Sequence, residues 1–289
     1  MSTPDSSDGD SDRGSRSDSD TVGPDRAAVR DRLDRVTDPE LDRSIVALDY
    51  VDAIEIDGDR VTVRFTLPTA WCSPAFAWMM AIDARDEVET LPSVADARII
   101  LDEHMHEQEI TRGVNEGRSF AEAFPDADGD VAAVRAELDE KARVARQYDA
   151  IETLLDAGLD AETIVELTVA DLERSAANPS AASAETASDP TDDDEREQLS
   201  IYVQNRAVAV SVPAAPIDRY LEKARETGVV SAPDDVLFRT PEGQPIDADS
   251  FDLVHRRGRL AQVNMSSQGG ICEGLQAARE RRFEGAGDD

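Results

Sequence analysis

Lysine is nearly absent from this chain. Lys141 and Lys223 are its only two, and arginine supplies the rest of the 30 basic residues, set against 63 acidic ones for a net charge of −33. No basic patch stands out, which disfavours nucleic-acid binding. The local clusters Arg256-Arg257-Gly258-Arg259 and Arg279-Glu280-Arg281-Arg282 read as solvated helix faces or ion-pair partners. Surplus carboxylates with so little lysine suit a cytoplasm of very high salt, where self-repulsion is screened. The acidity is therefore expected to report a halophilic proteome more than a partner. Cysteine is scarce too: Cys72 and Cys272 are the only two, too few and too distant for a disulfide framework, so both thiols are expected reduced in the cytoplasm. No apolar run is long enough to span a bilayer, and residues 1–20 lack a signal-peptide core. Gly-x-x-x-x-Gly-Lys-Ser/Thr and Gly-x-Ser-x-Gly are both missing, which argues against an ATPase loop and a typical serine hydrolase.

Aromatics make up only 4% of the chain, yet both tryptophans fall in residues 67–80, Leu-Pro-Thr-Ala-Trp-Cys-Ser-Pro-Ala-Phe-Ala-Trp-Met-Met. The run before it, residues 60–66, alternates as a strand with Val61, Val63 and Phe65 on one face. Pro68 breaks that strand, Ser73 stands where an N-cap belongs and Pro74 at the first helical position. Cys72 then lies just outside a helix N-terminus, where unpaired N–H groups and the helix dipole favour a thiolate. The helix should run to about Thr90, and its first turns, residues 75–82, are apolar all round. That pattern fits burial or a partner surface, with Phe76, Trp78 and Met79 as candidate client or dimer contacts.

The rest of the chain divides by composition. Residues 1–23 read as a disordered acidic tail. Residues 24–106 give a helix, a hairpin turning at Asp57-Gly58-Asp59, the Pro74 helix and a third strand at 97–101, a compact α-β-β-α-β unit. Residues 107–173 read as a connector followed by a helical hairpin whose long helix covers 130–157 and stops at Gly158. Residues 174–197 form a disordered linker. Residues 198–283 read as a second small α/β unit, with a strand or hairpin at 199–212, helices at 217–227 and 251–263 and a strand at 236–240; residues 284–289 form a tail. The fold class is thus α/β, of the α+β kind.

Asp38-Pro39-Glu40, Ser44-Ile45-Val46-x-Leu48-x-x-Val51, the hairpin, Thr66-x-x-Thr69-x-x-Cys72, the helix and the closing strand together resemble a known family over residues 25–103. This is the small iron–sulfur cluster assembly domain shared by SufT and PaaD proteins and the MIP-type cytosolic targeting factors. The resemblance implies a non-enzymatic maturation factor that helps place clusters or metal centres in client proteins. It implies Cys72 as the functional cysteine, Asp38 and Glu40 as an acidic pair, and Pro39, Thr66 and Thr69 as motif residues. It also implies a transient iron–sulfur cluster or iron as cofactor, and a client metalloprotein or the assembly machinery as partner, PaaD-type members being associated with a multicomponent oxygenase. The chain departs from the family in having Ser73 between Cys72 and Pro74, and Asp102-Glu103-His104-Met105-His106-Glu107 where the family carries a tryptophan-containing segment.

His104 and His106 are two of only three histidines, and imidazole and thiolate are common ligands of zinc or iron. An extended His-x-His would set both rings on one side, so Cys72, His104 and His106 form a candidate metal site, with surface residues of a polar loop as the bland alternative. Cys272, also at an expected helix start, is a fourth candidate if the two halves bring it near Cys72; a tight turn with an inward-packed thiol is the alternative. Three functions are weighed: the assembly factor, a metal-dependent enzyme using the Cys/His set, and a metal-free interaction scaffold that pairs as a homodimer or with a client. Neither nucleic acid nor membrane is expected as partner.

Overall fold

The computed structural model describes residues 23–127, 130–174, 197–204 and 206–265. The expected tail, linker and C-terminal tail fall outside them except at their edges, and Cys272 lies outside them altogether.

The chain enters with helix α1, Arg26–Leu33, and a two-stranded ribbon, β1 Thr37–Asp38 and β2 Arg43–Ser44. Strands β3, Val51–Asp57, and β4, Arg60–Thr66, form an antiparallel hairpin closed by Gly58, whose φ of +65° suits glycine. Helix α2, Pro74–Glu89, then crosses to β5, Asp96–Asp102, which pairs parallel with β4 in the register Val61↔Ala97, Val63↔Ile99 and Phe65↔Leu101. Period-two alternation drives those six side chains to one face, and all six are buried against α1 and α2. The sheet order is β3-β4-β5, and the α-β-β-α-β unit has the expected order.

Residues 107–127 differ from the expected connector. They form α3, Glu107–Asn115, and α4, Phe120–Ala123, which close the first core over α2. Phe120 and Phe124 meet the Trp78 ring edge-on, at 5.7 and 6.2 Å between centroids. Trp78 and Met79 are only 3% and 1% exposed, which corrects their expectation as partner contacts: the all-round apolar turns of α2 are satisfied inside the chain. Phe76 is half-buried.

Helix α5, Val131–Asp156, is capped at its start by the Asp130 side chain and ends at Gly158, φ +90°. It is followed by α6, Ala161–Glu166. The C-terminal half of α5 and α6 share one core with the three-stranded sheet β6 (Leu172–Arg174), β7 (Gln198–Val203) and β8 (Val208–Pro213) and with helix α7, Ala214–Glu226. Helical hairpin and second α/β unit are thus one hydrophobic body. Residues 251–265 are helical as expected. Residues 236–240 are not a strand: only single bridges form, Thr168↔Val236 and Arg239↔Pro245. The Arg239 N–H is taken by the Gln147 side-chain oxygen at 3.1 Å instead of a ladder.

The two cores meet along a seam of ion pairs. Arg146 of α5 donates Nε and Nη2 to the two carboxylate oxygens of Asp42, at 2.6 and 2.8 Å, with both side chains under 10% exposed. Arg135 holds Asp83 of α2 in the same two-pronged way, at 2.8 and 3.0 Å. Lys223 joins Asp139 and Glu226. Burial alone would lower the Lys223 pKa, but the two carboxylates overcome it and hold that pKa above the ordinary lysine value. A cavity of about 640 Å³ runs along this seam.

Candidate functional site

The Cys72 region is built from the β4–α2 loop and the turn after β5. Parallel pairing of β4 with β5 carries both segments out of the same end of the sheet. Thr69 shapes the first: its hydroxyl accepts from Trp71 N–H at 3.2 Å and its carbonyl from Cys72 N–H at 3.3 Å. Ser73 occupies the N-cap position of α2 but makes no side-chain cap, and Pro74 opens the helix. Cys72 is half-buried against the first core. It sits one residue outside a helix start, as expected.

The second segment turns at Glu103, which adopts a left-handed φ of +54°, a conformation uncommon for a residue with a β-carbon. The turn drives His104 inward and Met105 outward. His104, 6% exposed, accepts the His106 N–H on Nδ1 at 3.1 Å and donates Nε2–H to the Cys72 carbonyl at 3.0 Å. Acceptance on Nδ1 and donation to a carbonyl fix the neutral Nε2–H tautomer. Burial, the leading cause, lowers the His104 pKa, which agrees with a neutral ring.

This geometry corrects the expected extended His-x-His arrangement. The segment is not extended, and the His104 and His106 ring planes are tilted by 51° at 6.1 Å. Both His104 ring nitrogens are already engaged within the chain. His106 packs edge-on against Phe124 at 5.4 Å. Among the described residues no group of three or more His, Cys, Asp or Glu side chains could hold a metal ion. The described residues therefore do not assemble a site for a resident zinc ion, Cys272 lying outside them, and an iron–sulfur cluster enters the account as cargo.

The acidic motif serves the same architecture. Asp38 Oδ1 accepts from the N–H groups of Glu40 and Leu41, at 2.9 and 3.2 Å, and Oδ2 from the Tyr50 hydroxyl at 3.3 Å. Burial raises the Asp38 pKa against those three hydrogen bonds. The Tyr50 carbonyl accepts Thr66 N–H at 2.9 Å, and the Thr66 hydroxyl donates to Asp52 at 2.6 Å. A continuous chain of contacts thus runs from the Asp38-Pro39-Glu40 turn to the root of the Cys72 loop. Glu40 is half-buried and Pro39 lines the seam cavity. Sequence reasoning missed Trp71 and Met105, exposed by 75% and 53% beside Cys72. For Trp71 the signal was available: residues 65–82 carry no charge at all in a chain that is 32% charged.

Comparison with known proteins adds one match. Residues 26–99, about a quarter of the chain, match the sequence model of the family described as "Iron-sulfur cluster assembly protein". The matched segment runs from α1 into β5 and contains Asp38, Thr66, Thr69 and Cys72. No curated protein and no solved structure matches the chain.

Proposed function

We propose that this chain is an iron–sulfur cluster or metal-centre assembly factor, that it works by binding rather than by turnover, and that the Cys72 sulfur is its working atom. The observation that carries the reading is the coincidence of the family match over residues 26–99 with a half-buried cysteine one residue outside a helix start, on a loop tied down by Thr69 and His104. A cysteine so placed is biased toward thiolate, the form that binds iron. One thiolate is a handhold for a passing cluster, not a permanent seat, which suits transfer to a client. The second core adds surface that an assembly domain by itself lacks, which supports dedication to one client. The resemblance to PaaD proteins points to an oxygenase-type metalloprotein as that client. A halophilic, cytoplasmic setting accounts for the acidity without a nucleic-acid partner.

A Cys/His metalloenzyme would need a ligand set that the described residues do not assemble. The test is anaerobic purification and reconstitution with iron and sulfide, for wild type and Cys72→Ser. The reading expects labile iron and sulfide on wild type that is lost in the variant. Equal iron on both proteins, or tightly held stoichiometric zinc, would overturn it.

A further inference from the structure

The loops around Cys72 hold two large apolar side chains in solvent. Trp71 is 75% exposed and Met105 53%, and the segments bearing them are joined by Met105 N–H donating to the Ala70 carbonyl at 3.1 Å. The arrangement inverts the usual sorting, since an imidazole, His104, takes the inside position and the thioether beside it faces out. The hydrogen bonds that hold His104 in therefore also hold Met105 out. The other tryptophan of the chain, Trp78, is 3% exposed.

Charge is distributed just as unevenly around this pair. Residues 65–82 contain no charged side chain, while residues 99–111 contain Asp102, Glu103, Glu107 and Glu109 and no arginine or lysine. Asp102 is paired with Arg64 at 3.3 Å, and the apolar centre is bordered on that side by Glu103, Glu107 and Glu109. High salt screens these charges at long range, but at contact distance a second copy would set the same carboxylates against one another, whereas a basic rim would meet them favourably.

We propose that Trp71 and Met105 are the contact through which a client protein seats over Cys72, the client offering an apolar recess edged on one side by arginine or lysine. This rests on the reading of the chain as an assembly factor. Tryptophan is among the residues enriched at binding hot spots, which sit in well-packed pockets, and a contact adjoining the thiol would bring the receiving site to the atom that hands over the cluster.

The test uses a strain lacking the gene, complemented with full-length variants and fed radio-iron, with label in the protein fraction as the readout. Trp71→Glu and Trp71→Ala are expected to lower incorporation roughly ten-fold or more, in proportion to loss of a hot-spot tryptophan. Thermal unfolding and alkylation of Cys72 should stay at wild-type values, and Trp71→Phe should retain most incorporation. Val208→Glu, an exposed site on β8, should match wild type. Glu103→Lys with Glu107→Lys should lower incorporation, and full incorporation there would refute the basic rim. Wild-type incorporation by both Trp71 variants, with Cys72→Ser defective, overturns the docking surface and leaves the assembly reading standing. Wild-type incorporation by Cys72→Ser itself overturns the reading beneath it. A wild-type dimer in light scattering that Trp71→Glu dissociates would assign the surface to a second copy and overturn the client.

Discussion

Replacing Arg146 by methionine keeps most of the side-chain volume and removes the guanidinium that bridges the two cores. Its partner Asp42 is 8% exposed, sits at a left-handed φ of +51° and accepts two hydrogen bonds at 2.6 and 2.8 Å. The third prong of Arg146 reaches the Arg219 carbonyl at 2.8 Å. Arg146→Met therefore strands a hidden carboxylate and a carbonyl together. Breaking a buried ion pair costs about 3–5 kcal/mol. The cavity along the seam is lined by both residues and admits water to the stranded charge, which places the expected loss near the lower end, about 3 kcal/mol. The double variant Asp42→Asn/Arg146→Met removes both charges with a side chain that tolerates the left-handed φ at position 42, and should recover part of the loss, the Arg219 carbonyl still lacking its donor. Arg112→Met supplies the comparison, because its pair with Glu116 is 67% and 44% exposed and should leave stability nearly unchanged. Equilibrium urea unfolding at fixed high salt reads all three. Since Asp42 belongs to the first body and Arg146 to the helix shared with the second, the single variant should also separate the transition into two steps. An Arg146→Met loss under about 1 kcal/mol, or one equal to that of Arg112→Met, would refute the account of a buried seam.

Three further outcomes follow from named contacts. His104→Ala should destabilise the metal-free protein by about 1–3 kcal/mol, because the Cys72 carbonyl and His106 N–H lose their partner, and should speed alkylation of Cys72; a ligand-only role would leave metal-free stability untouched. Gly113→Ala should cost about 1–3 kcal/mol by overpacking, since an added Cβ would lie 2.7 Å from the buried Trp78 ring, and thermal unfolding checks it. Asp38, whose pKa burial raises in the fold, favours the folded state more when protonated. Wild type should therefore gain stability relative to Asp38→Asn as pH falls from neutrality through that raised value toward the ordinary 3.8, and a pH-independent difference between the two would contradict the burial argument.

Much of the first body was legible because its signals are local. Alternation in residues 60–66 gave the strand, Asp57-Gly58-Asp59 the turn, and Pro68 and Pro74 the limits of the Cys72 loop. Residues 107–127 read as a connector because three glycine or proline breaks hide two short helices, and only the ring contacts of Phe120 and Phe124 with Trp78 reveal what they cover. Trp78 and Met79 illustrate a general ambiguity: an apolar helix turn reports that it will be covered, not whether its own chain covers it. The extended pairing of His104 with His106 is missing for a backbone reason. The left-handed Glu103 breaks the extended geometry on which His-x-His depends, and a glutamate carries no signature of that conformation. The Asp42–Arg146 pair, 104 residues apart in sequence, could not be paired by pattern among so many carboxylates and arginines.

The most direct measurement is the radio-iron content of client metalloproteins when Cys72→Ser replaces the wild-type chain at its native level. The account predicts client polypeptides at normal abundance but depleted of iron and sulfide, with the variant folded as stably as wild type. Fully loaded clients in the presence of the serine variant would contradict it.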